Sequence, residues 1–371
     1  EPYVWTPPTQ LPRLVVRQNH KGSPYMSYST TVGVDLAKNV IQVSVVNGRG
    51  KETLYRSLTR KKFAEFLGRQ KPSLVAFESC ATAHYWARAA KRHGHEARII
   101  PAKAVAPFRQ GHKTDSNDAL AVAEAARRPN IKEAPIKTVE QQGLQAILRA
   151  RDRLIQECIA QSNHLRGILL EFGIAIPQGF AALLRTLPEV LEDGDNELPD
   201  FYRPTLHRLY HRMLELRQDI DAMTREVGQL VKTHAVCSRF TALEGVGPIG
   251  AMSLHATIGS GAAFSKGREA FAYVGLTPRQ YSSGGKANIV GLSKRVGNRK
   301  LRSVLIQGAL AYVYRMKEPR SCKDRWLKDL IERAGPRRAA VALANKNVRT
   351  AWALIAQGTE YQRRGQLEMA A

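Results

Sequence analysis

Short β-branched segments alternating with helical ones dominate the first third of this chain and restrict its fold more than any other feature. The first three strand-like segments are joined by tight turns such as Asn47–Gly48, which is typical of an antiparallel meander. The segments are TTVGVDLAK (30–38), VIQVSVVNGRG (40–50), KETLYRSLT (51–59), PSLVAFES (72–79) and EARIIPA (96–102). Helical segments lie between the later strands and follow the last one. The order βββαβαβα predicts an α/β domain with a mixed sheet covered by helices.

A different periodicity begins near Thr138. Apolar positions recur in steps of four and three, which is typical of a coiled-coil seam. The seam positions are Leu144, Leu148, Arg151, Ile155, Cys158, Ser162, Leu165, Leu169 and Phe172, then Leu206, Leu209, Met213, Leu216, Ile220, Met223, Val227 and Leu230. Pro177, Pro188 and Pro199 interrupt the pattern between the two runs. We therefore predict an antiparallel helical arm.

The last part of the chain predicts a mostly helical domain. LEGVGPIGAMSL (243–254) has the pattern of a helix-hairpin-helix, in which Gly245 and Gly247 would let backbone N–H groups approach a phosphate. The predicted organisation is a disordered arm (1–27), a sheet domain (28–135), the coiled-coil arm (136–236), a helical domain (237–362) and a tail (363–371).

The charge of the chain indicates a polyanionic partner. Lys and Arg number 57 against 32 Asp and Glu, which gives a net charge of +25. Nucleic acid is the expected partner of such a surface. An anionic membrane is disfavoured because no apolar run approaches the ~18 residues of a spanning helix, and no signal segment opens the chain. The four cysteines and ten histidines show no metal-ligand spacing, which favours a reduced, cytoplasmic protein.

Four acidic residues stand out against this basic background. Asp35 and Glu78 end predicted strands, and Asp115 and Asp118 open a predicted helix. Singly, each has an ordinary explanation, such as a helix cap or a strand-end charge. Together at the strand ends they would repel one another unless cations neutralised them, and carboxylate oxygens favour Mg²⁺ or Mn²⁺. Two such ions about 4 Å apart would assist phosphoryl transfer.

Several longer motifs resemble one family. They are VGVDLAK (32–38), FESC (77–80), KTDSNDALAVAEAAR (113–127), LEGVGPIGAMSL (243–254), FAYVGLTPRQYSSGGK (271–286) and SKRVGNRKLRSVLIQGA (293–309). In this order they resemble the DEDD transposases of the insertion-sequence family numbered one hundred and ten, which are akin to Piv-type DNA invertases. The arm segments resemble its eleven-eleven-like subgroup. The resemblance implies an RNase H-like, RuvC-like first domain whose metal-binding catalytic residues are Asp35, Glu78, Asp115 and Asp118.

The segment RQYSSGGK holds a candidate nucleophile. From the residues alone, a plain Ser/Gly loop is the simpler interpretation. The resemblance places the family's nucleophilic serine at Ser283, with Ser282 and Tyr281 as alternatives. It also implies a structured noncoding RNA, called a bridge RNA, that pairs with donor and target DNA. Because recombination needs paired DNA strands and so several protomers, we expect a homo-oligomer, either a dimer or a tetramer. The residues expected to contact nucleic acid are Lys38, Lys113, Gly245, Gly247, Arg279, Lys286, Lys294, Arg295, Arg299 and Arg302.

The sequence therefore predicts a DNA transposase or site-specific recombinase, guided by RNA, acting in the bacterial cytoplasm at the nucleoid. It would use Mg²⁺ or Mn²⁺ and form a phosphoserine–DNA intermediate. Two alternatives stay open at this point. One is a RuvC-like Holliday-junction resolvase that uses water as its nucleophile, and the other is a non-catalytic nucleic-acid-binding scaffold.

Overall fold

The computed structural model describes residues 29–112, 114–293 and 296–362. The predicted arm (1–27), the tail (363–371) and the predicted DNA contacts Lys113, Lys294 and Arg295 lie outside the described residues. The chain divides into two compact units, Glu1–Ile136 and Lys137–Ala371.

The first unit is built on a five-stranded mixed sheet in the order β3-β2-β1-β4-β5. β1 pairs antiparallel with β2 and parallel with β4, β2 pairs antiparallel with β3, and β4 pairs parallel with β5. The strands are β1 (Thr30–Leu36), β2 (Val40–Asn47), β3 (Glu52–Thr59), β4 (Leu74–Glu78) and β5 (Glu96–Ile100). The helices are α1 (Arg60–Arg69), α2 (Ala83–Arg92), α3 (Ala102–Val105), a short 3₁₀ turn (Ala106–Phe108) and α4 (Asp115–Ala126). The predicted mixed sheet with helices is confirmed.

The centre of this sheet is mostly apolar because both of its faces are covered. Val32, Val34, Val43, Val75 and Phe77 on the three inner strands have no solvent exposure. Continuous apolar strands of this kind are expected where helices pack on both faces. The sheet thereby gives a rigid platform whose strand ends carry polar side chains.

The second unit begins with a long helical hairpin. Its helices are α5 (Val139–Glu171), α6 (Phe180–Glu192) and α7 (Arg203–Thr233). α5 and α7 run antiparallel, because Leu144 packs near Val231 at one end and Leu169 packs near Leu206 at the other. Arg151 Nε donates to Thr224 Oγ1 at 2.8 Å between them. Many predicted seam positions are buried, namely Leu144, Cys158, Ser162, Leu165, Leu169, Leu206, Met213, Leu216, Ile220 and Val227. Supercoiling of the two helices stays a prediction.

The rest of the second unit is mostly helical, as predicted, with one β-hairpin. The helices are α8 (Ala235–Phe240), α9 (Pro248–Ile258), α10 (Gly267–Val274), α11 (Arg299–Arg315), α12 (Cys322–Ala334) and α13 (Pro336–Gln357). The hairpin consists of β6 (Pro278–Ser283) and β7 (Lys286–Leu292), which pair antiparallel. A stripe of Ala340, Leu343, Ala344, Val348 and Ala351 buries one face of α13 in the core of this region. No helix in the described residues is long and apolar enough to cross a membrane.

Candidate active site

Two of the predicted acids lie side by side because their strands are parallel neighbours. The β1–β4 register pairs Val34 with Phe77, so Asp35 and Glu78 directly follow the last paired positions. Asp35 Cα is paired on its other side with Gln42 of β2. The carboxyl ends of neighbouring parallel strands are where sites form on open sheets.

A glycine in β1 brings the other two acids to this edge. A Cβ on Gly33 would lie 2.2 Å from the carbonyl oxygen of Ala119 and 2.6 Å from the nitrogen of Ala123, so α4 rests directly on the β1 backbone. This close approach places the first turn of α4, with Asp115 and Asp118, near the end of β1. The explanation of Asp115 as a helix cap is wrong, because Thr114 is the N-cap and accepts from the backbone N–H of Asn117.

Partners that the sequence did not indicate hold these two carboxylates. Gln42 is 8% exposed, and its Nε2 donates to Asp115 Oδ2 at 3.3 Å, while Tyr55 Oη donates to Gln42 Oε1 at 2.9 Å. Asp118, also 8% exposed, forms an ion pair with Nε of Arg109. Gln42 is 73 residues from Asp115, whereas Arg109 is 9 residues from Asp118, and no motif or spacing marks either residue.

The electrostatics show that the acids act on one another. Burial raises the pKa of Asp35, and the charges of Asp118 and Asp115 raise it further. Burial, followed by the charges of Asp35 and Glu78, raises the pKa of the Cys80 thiol to about 11. A negative charge is therefore concentrated at the strand ends, and Arg109 offsets part of it by lowering the pKa of Asp35.

The donor set fits hard divalent cations, because all four side chains offer carboxylate oxygens. Among the described residues, no three of these acids have ligand oxygens that all lie within 4.8 Å of one another. The ion pair with Arg109 engages Oδ1 of Asp118 and puts a positive charge beside this carboxylate. Metal binding here therefore requires the carboxylates to draw together, and it competes with the charge of Arg109 for Asp118.

The candidate nucleophile lies in the second unit, on the β6–β7 hairpin. Ser283 pairs with Lys286 across a two-residue turn formed by Gly284 and Gly285, whose φ angles are +55° and +78°. Positive φ at both turn positions is what a tight hairpin requires. Sequence reasoning missed this hairpin, although Gly-Gly between alternating residues is a known signal for one.

The alternation of side chains along β6 separates Ser283 from Ser282. Side chains two residues apart share a face of a strand, so Ser283 lies on the same face as Arg279 and Tyr281. On this face the Arg279 guanidinium donates to the Tyr281 phenol oxygen at 3.4 Å. On the other face, Gln280 Nε2 donates to Ser282 Oγ at 2.9 Å. Ser283 is thus the serine that shares a surface with Arg279.

The predicted nucleic-acid contacts divide into exposed and buried residues. The exposed ones are Lys38, Arg279, Lys286 and Arg299. Arg302 is 6% exposed and donates to the carbonyl oxygens of Gly275 and Val296, so it holds a loop, and its predicted DNA contact is wrong.

The two glycines of the predicted helix-hairpin-helix have different surroundings. Gly245 adopts φ +76°, and a Cβ there would lie 2.5 Å from the carbonyl oxygen of Gly308, so it allows close packing on α11. Gly247 is the N-cap of α9 and has open space around its Cα. Of the two, Gly247 is the one with room for a phosphate.

Carboxylates at the strand ends of one unit, and an exposed serine on the β-hairpin of the other, suit an enzyme that processes DNA. Comparison with known proteins gives its family. The family model DEDD_Tnp_IS110, described as "Transposase", matches residues 32–174, and "Transposase IS116/IS110/IS902 family" matches residues 237–325. The chain belongs to the IS110 family of transposases.

Relatives in three bacteria match most of the chain. A probable family 20 transposase of Pseudomonas aeruginosa is 39% identical over 89% of this chain and 98% of its own length. The transposase for insertion sequence element IS1111A of Coxiella burnetii is 37% identical over 89% of this chain and 91% of its own length. The transposase for element IS1328 of Yersinia enterocolitica is 34% identical over 90% of this chain and 99% of its own length.

Solved structures of RuvC also match. Thermus thermophilus RuvC in complex with a Holliday junction substrate is 16% identical, with a TM-score of 0.24, and the match covers 29% of this chain and 99% of RuvC.

Proposed function

We propose that the chain is an RNA-guided transposase that cuts and rejoins DNA through a phosphoserine intermediate. The observation that carries the proposal is the convergence of Asp35, Glu78, Asp115 and Asp118 at the strand ends of a mixed sheet, which we take to be RNase H-like. Membership of a transposase family supports DNA as the substrate of this acidic site.

The acidic site would hold Mg²⁺ or Mn²⁺ and thereby polarise the scissile phosphate and stabilise the leaving oxygen. The residues that would hold the metal are Asp35, Glu78, Asp115 and Asp118. Gln42, supported by Tyr55, orients Asp115 through its hydrogen bond. Arg109, beside Asp118, would be placed to pair with the DNA backbone, since guanidinium groups bind phosphate well.

Ser283 would attack the phosphorus atom. Its Oγ forms a P–O bond while the bond to the leaving DNA oxygen breaks, and the serine proton is transferred overall to that oxygen. One phosphate ester replaces another, so rejoining needs no external energy source. Arg279 on the same face of β6 and Lys286 across the turn would place positive charge beside the phosphate.

The two halves of this site belong to different compact units of the chain. The proposed reaction requires Ser283 and the metal ions to act on the same phosphate, and we propose that the protein works as a dimer or tetramer. A structured bridge RNA would select the DNA by base pairing, so that the protein contacts mainly the backbone. The net charge of +25 supports such polyanionic partners, and the protein would act at the bacterial nucleoid.

Strand exchange on plasmid DNA tests this function. Wild-type protein with Mg²⁺ and the flanking noncoding RNA should recombine donor and target, whereas Asp118→Asn and Ser283→Ala should lose at least about 10²-fold in rate, as expected when metal-assisted or covalent catalysis is removed. Ser282→Ala is the matched control and should stay active. Normal recombination by Ser283→Ala would reject the nucleophile, and equal activity without RNA would reject the guide.

The same variants separate the two alternatives. A resolvase that uses water would still cleave DNA in the Ser283→Ala variant but not in Asp118→Asn. A scaffold would show no cleavage in any variant, including the wild type.

A further inference from the structure

We propose that a second metal site, suited to Zn²⁺, lies at the base of the helical arm and is formed by Glu140, His234 and His255. One ligand atom from each of these residues lies within 4.8 Å of the other two. The residues come from three elements: Glu140 from the first turn of α5, His234 from the junction of α7 and α8, and His255 from α9.

The histidine nitrogens point to a ligand that the protein itself does not supply. His255 is 6% exposed, and both of its ring nitrogens are buried without a hydrogen-bond partner among the described residues. His234 Nε2 is also buried and unpartnered by hydrogen bonds. Buried polar atoms are usually satisfied, so three such atoms on adjoining rings need an explanation. The two ring centroids are 4.7 Å apart.

The spacing of the donor atoms suits tetrahedral zinc. His234 Nε2 lies 3.5 Å from Glu140 Oε1, and ligands at zinc bond lengths of about 2.0–2.1 Å stand about 3.3 Å apart in a tetrahedron. Two imidazoles and one carboxylate favour Zn²⁺ over Mg²⁺, which prefers oxygen ligands alone. The site therefore differs in chemistry from the four carboxylates of the first unit.

The surrounding structure fixes the orientation of the His234 ring. Nδ1 of His234 accepts the backbone N–H groups of Val236 and Cys237 at 3.2 and 3.3 Å, which turns Nε2 towards Glu140. Because Nδ1 accepts these N–H groups, the proton of the neutral ring is on Nε2, so zinc would bind Nε2 only as that proton leaves to solvent and His234 becomes an imidazolate. Gln141, next to Glu140, forms a reciprocal capping box with Thr138.

The site is open on one side and joins separate helices. The Glu140 side chain is 63% exposed, which gives an ion a route of entry, whereas the His234 side chain is 17% exposed. An ion here would tie the start of α5 and the end of α7 to α9, and so fix the arm to the helical region. We expect the role of this ion to be structural, because none of its three ligands takes part in the proposed reaction.

Metal binding by the full-length protein tests the site. Protein stripped with a chelator is titrated with Zn²⁺, and with Co²⁺ as a spectroscopic probe, in excess Mg²⁺ to fill the acidic site. We expect one equivalent of Zn²⁺ per chain, tetrahedral Co²⁺ absorption, and a higher melting temperature. His255→Gln and Glu140→Gln should each weaken Zn²⁺ binding at least about tenfold.

Two controls exclude other sites. Asp118→Asn removes an acidic-site ligand, and His207→Ala removes one member of the exposed pair His207 and His211 on α7; both should bind Zn²⁺ as the wild type does. Circular dichroism establishes that each variant is folded. The proposal is overturned by a wild type that binds no Zn²⁺, by wild-type affinity in folded His255→Gln, or by loss of the bound ion in either control.

Discussion

Gly33 gives the sharpest test of how the acidic site is assembled, because its backbone sets the position of α4. In Gly33→Ala the new methyl group would lie 2.2 Å from the carbonyl oxygen of Ala119, and ordinary contacts begin at 3.4 Å, so α4 must move by about 1.2 Å. Overpacking of this kind costs about 1–3 kcal/mol of the free energy of unfolding. A displacement of about 1 Å at reacting groups costs about 10²-fold in rate. Both losses should therefore appear together in this variant.

Two measurements check this expectation: the free energy of unfolding by denaturant titration, and the rate of Mg²⁺-dependent strand cleavage under conditions where the variant is folded. Gly68→Ala in α1 is the matched control, since its Cβ would meet His93 ring atoms at 3.6 and 3.7 Å, which is ordinary contact. Its helix should gain up to about 1 kcal/mol. If Gly33→Ala is as stable and as active as the control, α4 does not position Asp115 and Asp118 in the way described.

Three further variants probe single contacts. Arg109→Gln should raise Mn²⁺ affinity roughly fivefold to tenfold, because the partly exposed ion pair, which contributes about 1 kcal/mol, no longer competes for Asp118. Paramagnetic resonance titration measures the Mn²⁺ affinity, and unchanged or weaker binding contradicts the expectation. Asp35→Asn should stabilise the metal-free protein at neutral pH, because the raised pKa of Asp35 means that its ionisation costs stability as pH rises through the folded-state pKa. The gain in denaturant midpoint should vanish below pH 3.8, the ordinary pKa of an aspartate, where the carboxyl is protonated in both states. A gain that persists below this pH would show that ionisation of Asp35 is not its cause. Thr82→Gly should add about 1 kcal/mol of stability, since Thr82 has φ +70° and makes no capping hydrogen bond; a lower melting temperature would contradict this.

The sequence predicted the sheet and the positions of the acids because these depend on local patterns. Strand alternation and β-branched residues located β1 to β5, and the ends of β1 and β4 placed Asp35 and Glu78 correctly. The seam of the arm was equally clear, because a repeat of three and four continues for many turns of α5 and α7.

Contacts made by single side chains were beyond sequence reasoning. Gln42 and Arg109 each form a single bond to an acid, and no periodicity or motif marks such a residue. Arg302 illustrates the opposite error: it stands in a basic run that reads as a DNA-binding surface, yet its position on α11 faces inward. A run of basic residues shows where positive charge is concentrated along the chain. Which of these residues is buried depends on the side of the helix on which each one lies.

The clustering of Glu140, His234 and His255 was also missed, because helices α5, α8 and α9 bring together residues that lack metal-ligand spacing along the chain. The β6–β7 hairpin, by contrast, had a usable signal in Gly284 and Gly285. That signal was overlooked because the Ser and Gly residues of this segment favoured a plain loop.

Identification of the covalent protein–DNA linkage tests the central claim most directly. Wild-type protein is incubated with Mg²⁺, the noncoding RNA and labelled DNA, then denatured, digested and analysed by mass spectrometry for a nucleotide bound to a peptide. The account predicts a phosphoester on Ser283 that forms with Ser282→Ala but not with Asp118→Asn. DNA that is cut without any adduct, or an adduct on Ser282 or Tyr281, would contradict it.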